Sequence, residues 1–330
     1  MRECTPVQTL NAAALIALLV GCSGGSAIAP ISLQSGAQFP TGRVPSFLDI
    51  NGGTGTHVVS RYSCPATGAL EYVSYYYSGA INVFAGKFAG QGPCGQITSS
   101  LGNVQGLFVQ AETHDLYAAN GGSSNVIVFH RGQTTPYNVY NDPTGQVLYD
   151  VAVANDGTVL ATSWAGDSIA TWIGGPNGGT YVGTFPMTNA DEGGYITVRK
   201  NGTVYYDATV SPTGAGALWS MSCPAGACGA QTQVAGVSFR FPGGLEFDST
   251  GDLLAAGKSY IDTFELPNPT KSKIPVVGFA SGMAINKLDN HVFYTDLDRG
   301  TAYEYSYPGG ILIGSVGGPT TYALGIAVDH

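Results

Sequence analysis

Short apolar segments that end in an aromatic residue recur along this chain at a nearly constant spacing. The aromatic residues are separated by 45, 43, 47, 45 and 41 residues, and they are Phe84, Phe129, Trp172, Trp219, Phe264 and Tyr305. This spacing indicates that a unit of about 44 residues repeats along the chain, and that the hairpin at 116–129 is one copy of it.

A second series of segments has the same period. The segments read GLFVQ, DVAVA, YITVR, GLEFD, GMAIN and GIAVD, and they start at Gly106, Asp150, Tyr195, Gly244, Gly282 and Gly325. Five of the six are followed by a tight turn and a further apolar segment. Asp156-Gly157 and Asn201-Gly202 are examples of these turns, and such pairs between apolar segments are hairpin signals. The Asn201-Gly202-Thr203 sequence is also a formal glycosylation sequon, but we interpret it as a turn.

The composition is that of an all-β protein. Charged residues make up only 11% of the chain, whereas glycine occurs 48 times and tyrosine 19 times in 330 residues. A period near 44 residues that consists of short strands and polar turns is typical of a β-propeller, in which four-stranded sheets pack radially. We expect the first strand of each sheet to line a central channel. The aromatic residue of each third strand is expected to pack between neighbouring sheets.

The two ends of the repeat region complete each other. The first unit has the strands EYVSYYY and AINVFAG but no inner strand before them, and the last unit is only the inner strand LGIAVDH, which ends at His330. The sequence therefore predicts a six-bladed propeller over residues 58–330. Its ring would be closed by the C-terminal strand pairing with the N-terminal blade, which removes exposed sheet edges.

These repeats resemble the six-bladed propellers of the NHL-repeat and SMP-30/gluconolactonase-like group, in its bacterial lipoprotein form. The resemblance covers about residues 62–330. It implies the fold but no particular activity, because this fold occurs in binding proteins, lactonases and lyases.

The N-terminal residues have the features of an export signal. Residues 12–20 form a nine-residue apolar run, which is too short to span a bilayer, and Leu19-Val20-Gly21-Cys22 resembles a bacterial lipobox. This motif implies cleavage before Cys22 and attachment of lipid to Cys22. Residues 1–21 are thus predicted to be a lipoprotein signal peptide, and the Gly/Ser/Pro-rich residues 22–57 a flexible tether. The alternative is an ordinary secretory signal in which Cys22 occurs by chance.

Four cysteines remain after processing, as expected for two disulfides in an exported protein. The simplest pairing joins Cys64 to Cys94 and Cys223 to Cys228. A zinc site is the alternative, but its spacing would be unusual and no histidine lies near in sequence. Localisation is therefore predicted to be extracytoplasmic, with a lipid anchor in the bacterial cell envelope.

Candidate binding residues occur where second strands end and first strands begin, because these loops open on one face of a propeller. The predicted binding rim contains aromatic, amide, acidic and basic groups, namely Tyr75, Tyr77, Asn120, Trp164, Asp207, Arg240 and Asp296. Such a mixture suits a small polar or sugar-like ligand. Ordinary alternation in a hairpin is an alternative explanation for Tyr75 and Tyr77, and turn capping with Arg299 is one for Asp296.

Catalysis is less well supported by the sequence. The resemblance implies that a lactonase would hold a divalent cation such as Ca²⁺ with a set drawn from Glu192 or Glu246, Asn120, and Asp207 or Asp296. The first inner strand lacks the glutamate, and no histidine is placed on the rim, so no catalytic residue, metal ligand or cofactor is assigned.

The function predicted from the sequence is that of a non-catalytic module that binds a ligand or an envelope protein, or serves as a scaffold. The alternative is an extracytoplasmic metal-dependent lactonase or lyase with its site at the channel mouth. The chain carries a formal charge of −9 and has no cluster of Lys and Arg, which argues against nucleic acid as a partner. A monomer is expected.

Overall fold

The computed structural model describes residues 61–88, 92–164, 166–188, 192–210, 215–239, 241–266, 268, 270–317 and 322–330. Within these residues the chain is all-β, and its helical content is limited to three short 3-10 turns. None of the described helices is long and apolar enough to cross a membrane. The predicted signal peptide, the lipobox cysteine Cys22, the tether and Arg240 lie outside the described residues.

The described residues form 24 strands, which pair antiparallel in a set of mostly four-stranded sheets. The first sheet combines strands from both ends of the chain: β1 (Arg61–Tyr62), β2 (Leu70–Tyr75), β3 (Ala80–Ala85), β4 (Gly95–Ile97) and β24 (Ala323–Asp329). The second sheet contains β5 (Val104–Gln110), β6 (Asp115–Asn120), β7 (Asn125–Phe129) and β8 (Asn138–Asn141). The third contains β9 (Leu148–Val153), β10 (Thr158–Ser163), β11 (Ser168–Ile173) and β12 (Thr180–Pro186).

The remaining strands form one four-stranded and one seven-stranded sheet. The fourth sheet contains β13 (Glu192–Val198), β14 (Thr203–Val210), β15 (Ala215–Ser222) and β16 (Thr232–Phe239). The seven-stranded sheet contains β17 (Leu245–Phe247), β18 (Leu253–Ala256), β19 (Lys258–Phe264), β20 (Thr270–Ile285), β21 (His291–Asp296), β22 (Thr301–Ser306) and β23 (Leu312–Gly317). Strand β20 pairs with β19 up to Phe279 and with β21 from Ala280 onward.

The turns between first and second strands have the chemistry that the sequence predicts. Gly157 and Gly202 both have φ above +80°, a conformation that glycine adopts without steric cost. The side chains of Asp156 and Asn201 accept hydrogen bonds from the N–H groups of Thr158 and Thr203, at 3.0 Å in both cases. The Asn-Gly pair is therefore a β-turn, as the sequence indicates.

The repeated aromatic residues are all in the core. Each is at most 5% exposed: Phe84, Phe129, Trp172, Trp219, Phe264 and Tyr305. Trp172 of β11 lies beside Tyr140 of β8, and its indole N–H donates to the carbonyl of Asn141 at 3.0 Å. This contact joins the third sheet to the second, so the prediction that these aromatic residues pack between sheets is confirmed for Trp172.

The C-terminal strand belongs to the same sheet as the N-terminal strands. Strand β24 pairs with β2 in a register that aligns Leu70 with Asp329 and Val73 with Ile326. Beyond the end of β2, the N–H of Tyr76 donates to the carbonyl of Tyr322 at 3.2 Å. The first sheet is therefore completed by residues that are about 250 positions apart in the chain.

Two disulfides are formed, and their pairing is the predicted one. Cys64 bonds with Cys94, next to the short β1–β4 pairing, and Cys223 bonds with Cys228 in the loop between β15 and β16. Disulfides persist in oxidising compartments, so they indicate an extracytoplasmic location.

Candidate ligand-binding face

One end of the sheets carries the loops that lead into the first strands and those that join second to third strands. We call this end the rim face, and the opposite end, with the turns between first and second strands, the base. The sequence places its candidate binding residues on the rim face. The structure groups aromatic side chains from distant segments there.

The first aromatic group on the rim face lies where the chain ends meet. It consists of Tyr76 and Tyr77, which follow β2, and Tyr322, which precedes β24. The rings of Tyr77 and Tyr322 are 4.6 Å apart at 90°, and those of Tyr76 and Tyr77 are 5.1 Å apart at 75°. Tyr77 is 45% exposed and Tyr322 is 41% exposed. Both rings are thus available to a ligand while they hold each other in an edge-to-face arrangement.

Two further aromatic groups lie on the rim face. Tyr149 of β9 contacts Trp164, which follows β10, with ring centres 4.9 Å apart. Tyr149 also contacts Tyr195 of β13, and their hydroxyl oxygens are 3.0 Å apart. Phe241, which precedes β17, contacts Phe279 of β20 at 4.8 Å. Trp164, Tyr149, Phe241 and Phe279 are each partly exposed.

The space between the first strands is nearly filled. A cavity of about 20 Å³ is lined by residues from β5, β9, β13, β17, β20 and β24, which is room for a single water molecule. Tyr195 lines this cavity and is only 4% exposed. The space between the first strands is therefore narrow at this level, which leaves the rim face as the candidate surface for a ligand.

Glycine allows the first strands to approach one another closely. A Cβ atom on Gly106 would lie 1.9 Å from a carboxylate oxygen of Asp150, and one on Gly325 would lie 2.1 Å from the carbonyl oxygen of Gln105. Asp150 and Tyr195 take the place that glycine has in the other segments of the second repeat series. Their side chains fill the space between the first strands.

Two carboxyl groups line this space, Asp150 of β9 and Glu246 of β17, and a third, Asp207 of β14, accepts a hydrogen bond from the backbone of Tyr195, which also lines it. Asp150 accepts a hydrogen bond from Ile196 N at 2.9 Å, and burial raises its pKa to about 7. Burial also raises the pKa of Glu246 to about 7, with a smaller contribution from the charge of Asp150. The pKa of Asp207, which is fully buried, is raised well above its ordinary value by the same desolvation.

Asp207 occupies a position that carries a hydroxyl group in three other second strands. The fifth residue of β2, β10, β14 and β21 is in each case fully buried, and these residues are Ser74, Thr162, Asp207 and Thr295. The hydroxyl groups donate to the carbonyls of Gln105, Gly194 and Leu324, which lie in the first strands β5, β13 and β24. Asp207 instead accepts from Tyr195 N at 2.6 Å and from Gly243 N at 2.8 Å. Asp207 thus lies inside β14, rather than at the strand end where the sequence placed it, and it connects neighbouring sheets.

Two more of the predicted rim residues are buried at the ends of second strands, where their side chains bond to neighbouring segments. Asn120 is fully buried, and its side chain accepts from Gly102 N and donates to Ser100 O and Asn125 Oδ1. Asp296, also fully buried, accepts from Phe279 N and from Arg299 Nη1 at 2.8 Å. The turn-capping alternative with Arg299 is therefore confirmed for Asp296.

Of the other predicted rim residues, Tyr77 and Trp164 have side chains on the surface, in the aromatic groups described above. Tyr75 is only 2% exposed and lies in the core with Val73 and Phe84, so it offers no surface to a ligand. Tyr195, Phe241 and Phe279 were not identified from the sequence. The signal that could have found them is their position just before or at the start of an inner strand.

Oxygen ligands for a cation do not converge in the described part of the chain. No group of three or more His, Cys, Asp or Glu side chains there has the arrangement of a metal site. Of the calcium ligands that the resemblance implies, Asn120, Asp207 and Asp296 belong to three different sheets, and each is bonded to its own surroundings. The side chain of Glu192 lies outside the part of the chain that the structure describes.

Three histidines pair with carboxylates at the base. His114 Nδ1 lies 2.6 Å from Asp329, His130 Nδ1 lies 2.8 Å from Asp115, and His291 Nδ1 lies 2.6 Å from Glu304. The sequence placed these histidines away from the rim but did not predict the carboxylate partners, which come from other strands. All three imidazoles lie at the end of the sheets opposite the aromatic groups.

Comparisons with known proteins identify the fold. No protein-family model matches the chain, and no curated protein matches it. A chain in the crystal structure of a nidogen/laminin complex superposes with a TM-score of 0.63 at 13% identity, over 80% of this chain and 99% of that one. Kuenenia stuttgartiensis hydrazine synthase gives a TM-score of 0.53 at 10% identity, over 76% of this chain and 84% of that one.

A third similar structure is that of a functionally unknown protein from Desulfotomaculum acetoxidans DSM 771. Its TM-score is 0.52 at 11% identity, over 76% of this chain and 80% of that one. At such identities the likeness establishes the architecture alone, which is that of a β-propeller.

Proposed function

We propose that this chain is an exported, lipid-anchored propeller whose rim face binds a polar ligand or an envelope protein without catalysing a reaction. The observation that carries the proposal is the set of partly exposed aromatic groups on the rim face, above a channel that Tyr195 and the tightly packed first strands fill. Aromatic side chains provide large contact areas at low entropic cost, and they dominate many binding surfaces.

We propose further that the propeller has six blades and that β24 closes the ring. Six strands contribute to the lining of one cavity, and each belongs to a different sheet once the seven-stranded sheet is divided at β20, where that strand changes partner. The pairing of β24 with β2 supports closure. Membership of the NHL-repeat and SMP-30-like group is part of this proposal, and it rests on the sequence repeats.

Attachment to the membrane is proposed from the lipobox-like sequence at Cys22, and the two disulfides agree with export. Metabolic labelling with an alkyne fatty acid in a bacterial host tests it. We expect label on the full chain and none on the Cys22→Ala variant. Equal labelling of both chains would contradict the anchor while leaving the binding proposal open.

A protein partner is compatible with the neighbour found in a nidogen/laminin complex, in which two proteins are bound to each other. The low density of charged side chains, at 11% of the chain, favours a partner recognised by shape and hydrogen bonds rather than by charge. A protein partner and a small ligand would both need an exposed aromatic surface on the rim face.

The proposed function is tested by comparing three proteins that start at Cys22: the unsubstituted chain, a Trp164→Ala/Tyr77→Ala variant, and a Tyr260→Ala control. Tyr260 is 46% exposed, like Tyr77, but belongs to none of the three rim groups. Binding to a panel of oligosaccharides and to solubilised envelope proteins is measured for each. We expect binding that is lost in the double variant and retained in the control. Equal binding by all three would contradict the proposal, as would turnover of a lactone that depends on a divalent cation.

A further inference from the structure

The loops around Tyr77 and Tyr322 contain no charged residue. Residues 75–80, 98–106, 119–126 and 322–328 include no Asp, Glu, Lys, Arg or His, whereas serine, asparagine, glycine and tyrosine are frequent in them. Ser78, Ser100 and Ser123 have exposed side chains in these loops. These four segments form one sector of the rim face and therefore offer aromatic surface and neutral hydrogen-bonding groups, whereas the charged residues Asp298 and Arg299 lie in the loop between β21 and β22, in the sheet on the other side of β24.

The sector is held in one conformation before any ligand binds. Asn120 bonds to Gly102 N and Ser100 O, and Gly122 N donates to Gly102 O at 3.2 Å, which joins two of the loops. The backbone of Tyr322 has φ of +47° and accepts the N–H of Tyr76. Because these contacts fix the loops, little entropy is lost when a ligand binds.

The two exposed rings form a right-angled corner. The planes of Tyr77 and Tyr322 lie at 90° with centres 4.6 Å apart, and Tyr76 supports the ring of Tyr77 from another side. A ring face presents a negative quadrupole to the weakly positive C–H groups of a ligand. A pyranose has one face of C–H groups and a perimeter of hydroxyl groups. It would therefore stack on one tyrosine while the surrounding serine and tyrosine hydroxyls bond to its perimeter.

We infer that the corner formed by Tyr77 and Tyr322 is a binding site for a neutral carbohydrate. This inference rests on the proposed function and specifies its ligand class. An ionic peptide, a phosphate or a polyanion would require compensating charges that this sector lacks. Burial raises the pKa of Tyr76 to about 12 and raises the pKa of Tyr77 above its ordinary value, so these two phenol groups stay protonated at neutral pH and can donate hydrogen bonds to sugar oxygens.

The test uses the chain from Cys22 onward and saturation-transfer NMR, followed by calorimetry. The probes are hexasaccharides of glucose and of N-acetylglucosamine, with a polygalacturonate oligomer as the charged counterpart. We expect saturation by a neutral oligosaccharide, with an affinity that does not change between low and high salt. Tyr77→Ala/Tyr322→Ala should weaken it by roughly tenfold or more, whereas Tyr260→Ala should leave it unchanged.

Three outcomes would overturn the inference: no binding of any neutral oligosaccharide, salt-dependent binding of the charged oligomer alone, or unchanged affinity in the double variant. A thermal melt of each variant shows whether it is folded, and Tyr77→Phe with Tyr322→Phe keeps the rings if the alanine variant does not fold. The chain could fail to bind carbohydrate but still bind an envelope protein, with that binding lost in Trp164→Ala. In that case the proposed function would be supported and only the carbohydrate inference would be wrong. If no binding of any kind is detected, both the proposed function and the carbohydrate inference are wrong.

Discussion

His114 Nδ1 lies 2.6 Å from the carboxylate of Asp329, and this contact joins the second sheet to the last strand of the chain. Arg131, also from the second sheet, bonds to the other oxygen of Asp329 and to the carbonyl of Gly68. Asp329 is only 1% exposed, so its charge is satisfied by these partners rather than by water. The end of β24 is thereby held by its own sheet and by the next one.

The carboxyl group of Asp150 makes stability depend on pH. Its pKa is raised from 3.8 to about 7 in the folded chain because burial disfavours the charged form. At pH values between these two pKa values, the Asp150 carboxyl group therefore binds its proton more tightly in the folded state than in the unfolded state. The contribution of Asp150 is therefore most favourable below about pH 4 and is lost as the pH rises to about 7.

Asp150→Asn should remove this dependence, since an asparagine oxygen can still accept the N–H of Ile196. We expect the variant to gain stability relative to the unsubstituted chain as the pH rises from 4 to 8, by up to a few kcal/mol. Urea denaturation at several pH values measures it. A stability difference that stays constant across this range would show that Asp150 does not titrate as described.

A conservative substitution of Asp207 can show whether this residue has a structural role or a functional one. Its two oxygens accept from Tyr195 N and Gly243 N, and an asparagine can accept only one of these bonds while its NH₂ group faces the other donor. Asp207→Asn should lower the free energy of unfolding by about 1–3 kcal/mol. The affinity for a rim ligand should not change. A variant with normal stability and no binding would instead make Asp207 a functional acid.

The loop closed by Cys223 and Cys228 contacts the third sheet. The hydroxyl of Thr171, which is fully buried in β11, donates to Gly226 O at 2.7 Å, and Ala225 N donates to Asp156. Replacing both cysteines by serine should cost about 2 kcal/mol, as expected for a disulfide that closes a short loop. Thermal denaturation measures this cost, and Thr171→Val is the control for the loop contact alone, at about 1 kcal/mol. If the double-serine variant has the same melting temperature as the unsubstituted chain, the loop packs against the third sheet without its disulfide.

Most of the fold could be predicted from the sequence because propeller repeats carry local signals. Asn201-Gly202 identifies a turn, and Trp172 identifies a buried third strand, without knowledge of any distant contact. The rim residues could not be assigned in this way. Asn120 and Asp296 are polar side chains at strand ends, but their hydrogen-bond partners belong to loops whose positions only the assembled sheets define.

The sequence also could not predict which side chains from distant segments lie together. Tyr77 and Tyr322 meet only because β24 pairs with β2, and Tyr195 reaches Tyr149 only because their first strands lie around one narrow space. Sequence spacing predicted the pairing of the strands but not which side chains the pairing would bring into contact.

Pairing of β24 with β2 completes the first sheet and brings Tyr322 beside Tyr77, and we propose that this pairing closes the ring. Thermal unfolding of a chain that lacks residues 323–330 tests it most directly, with deletion of His330 alone as the control. We expect loss of cooperative unfolding, or a midpoint lowered by well over ten degrees, for the longer deletion and little change for the control. An unchanged midpoint after removal of residues 323–330 would contradict it.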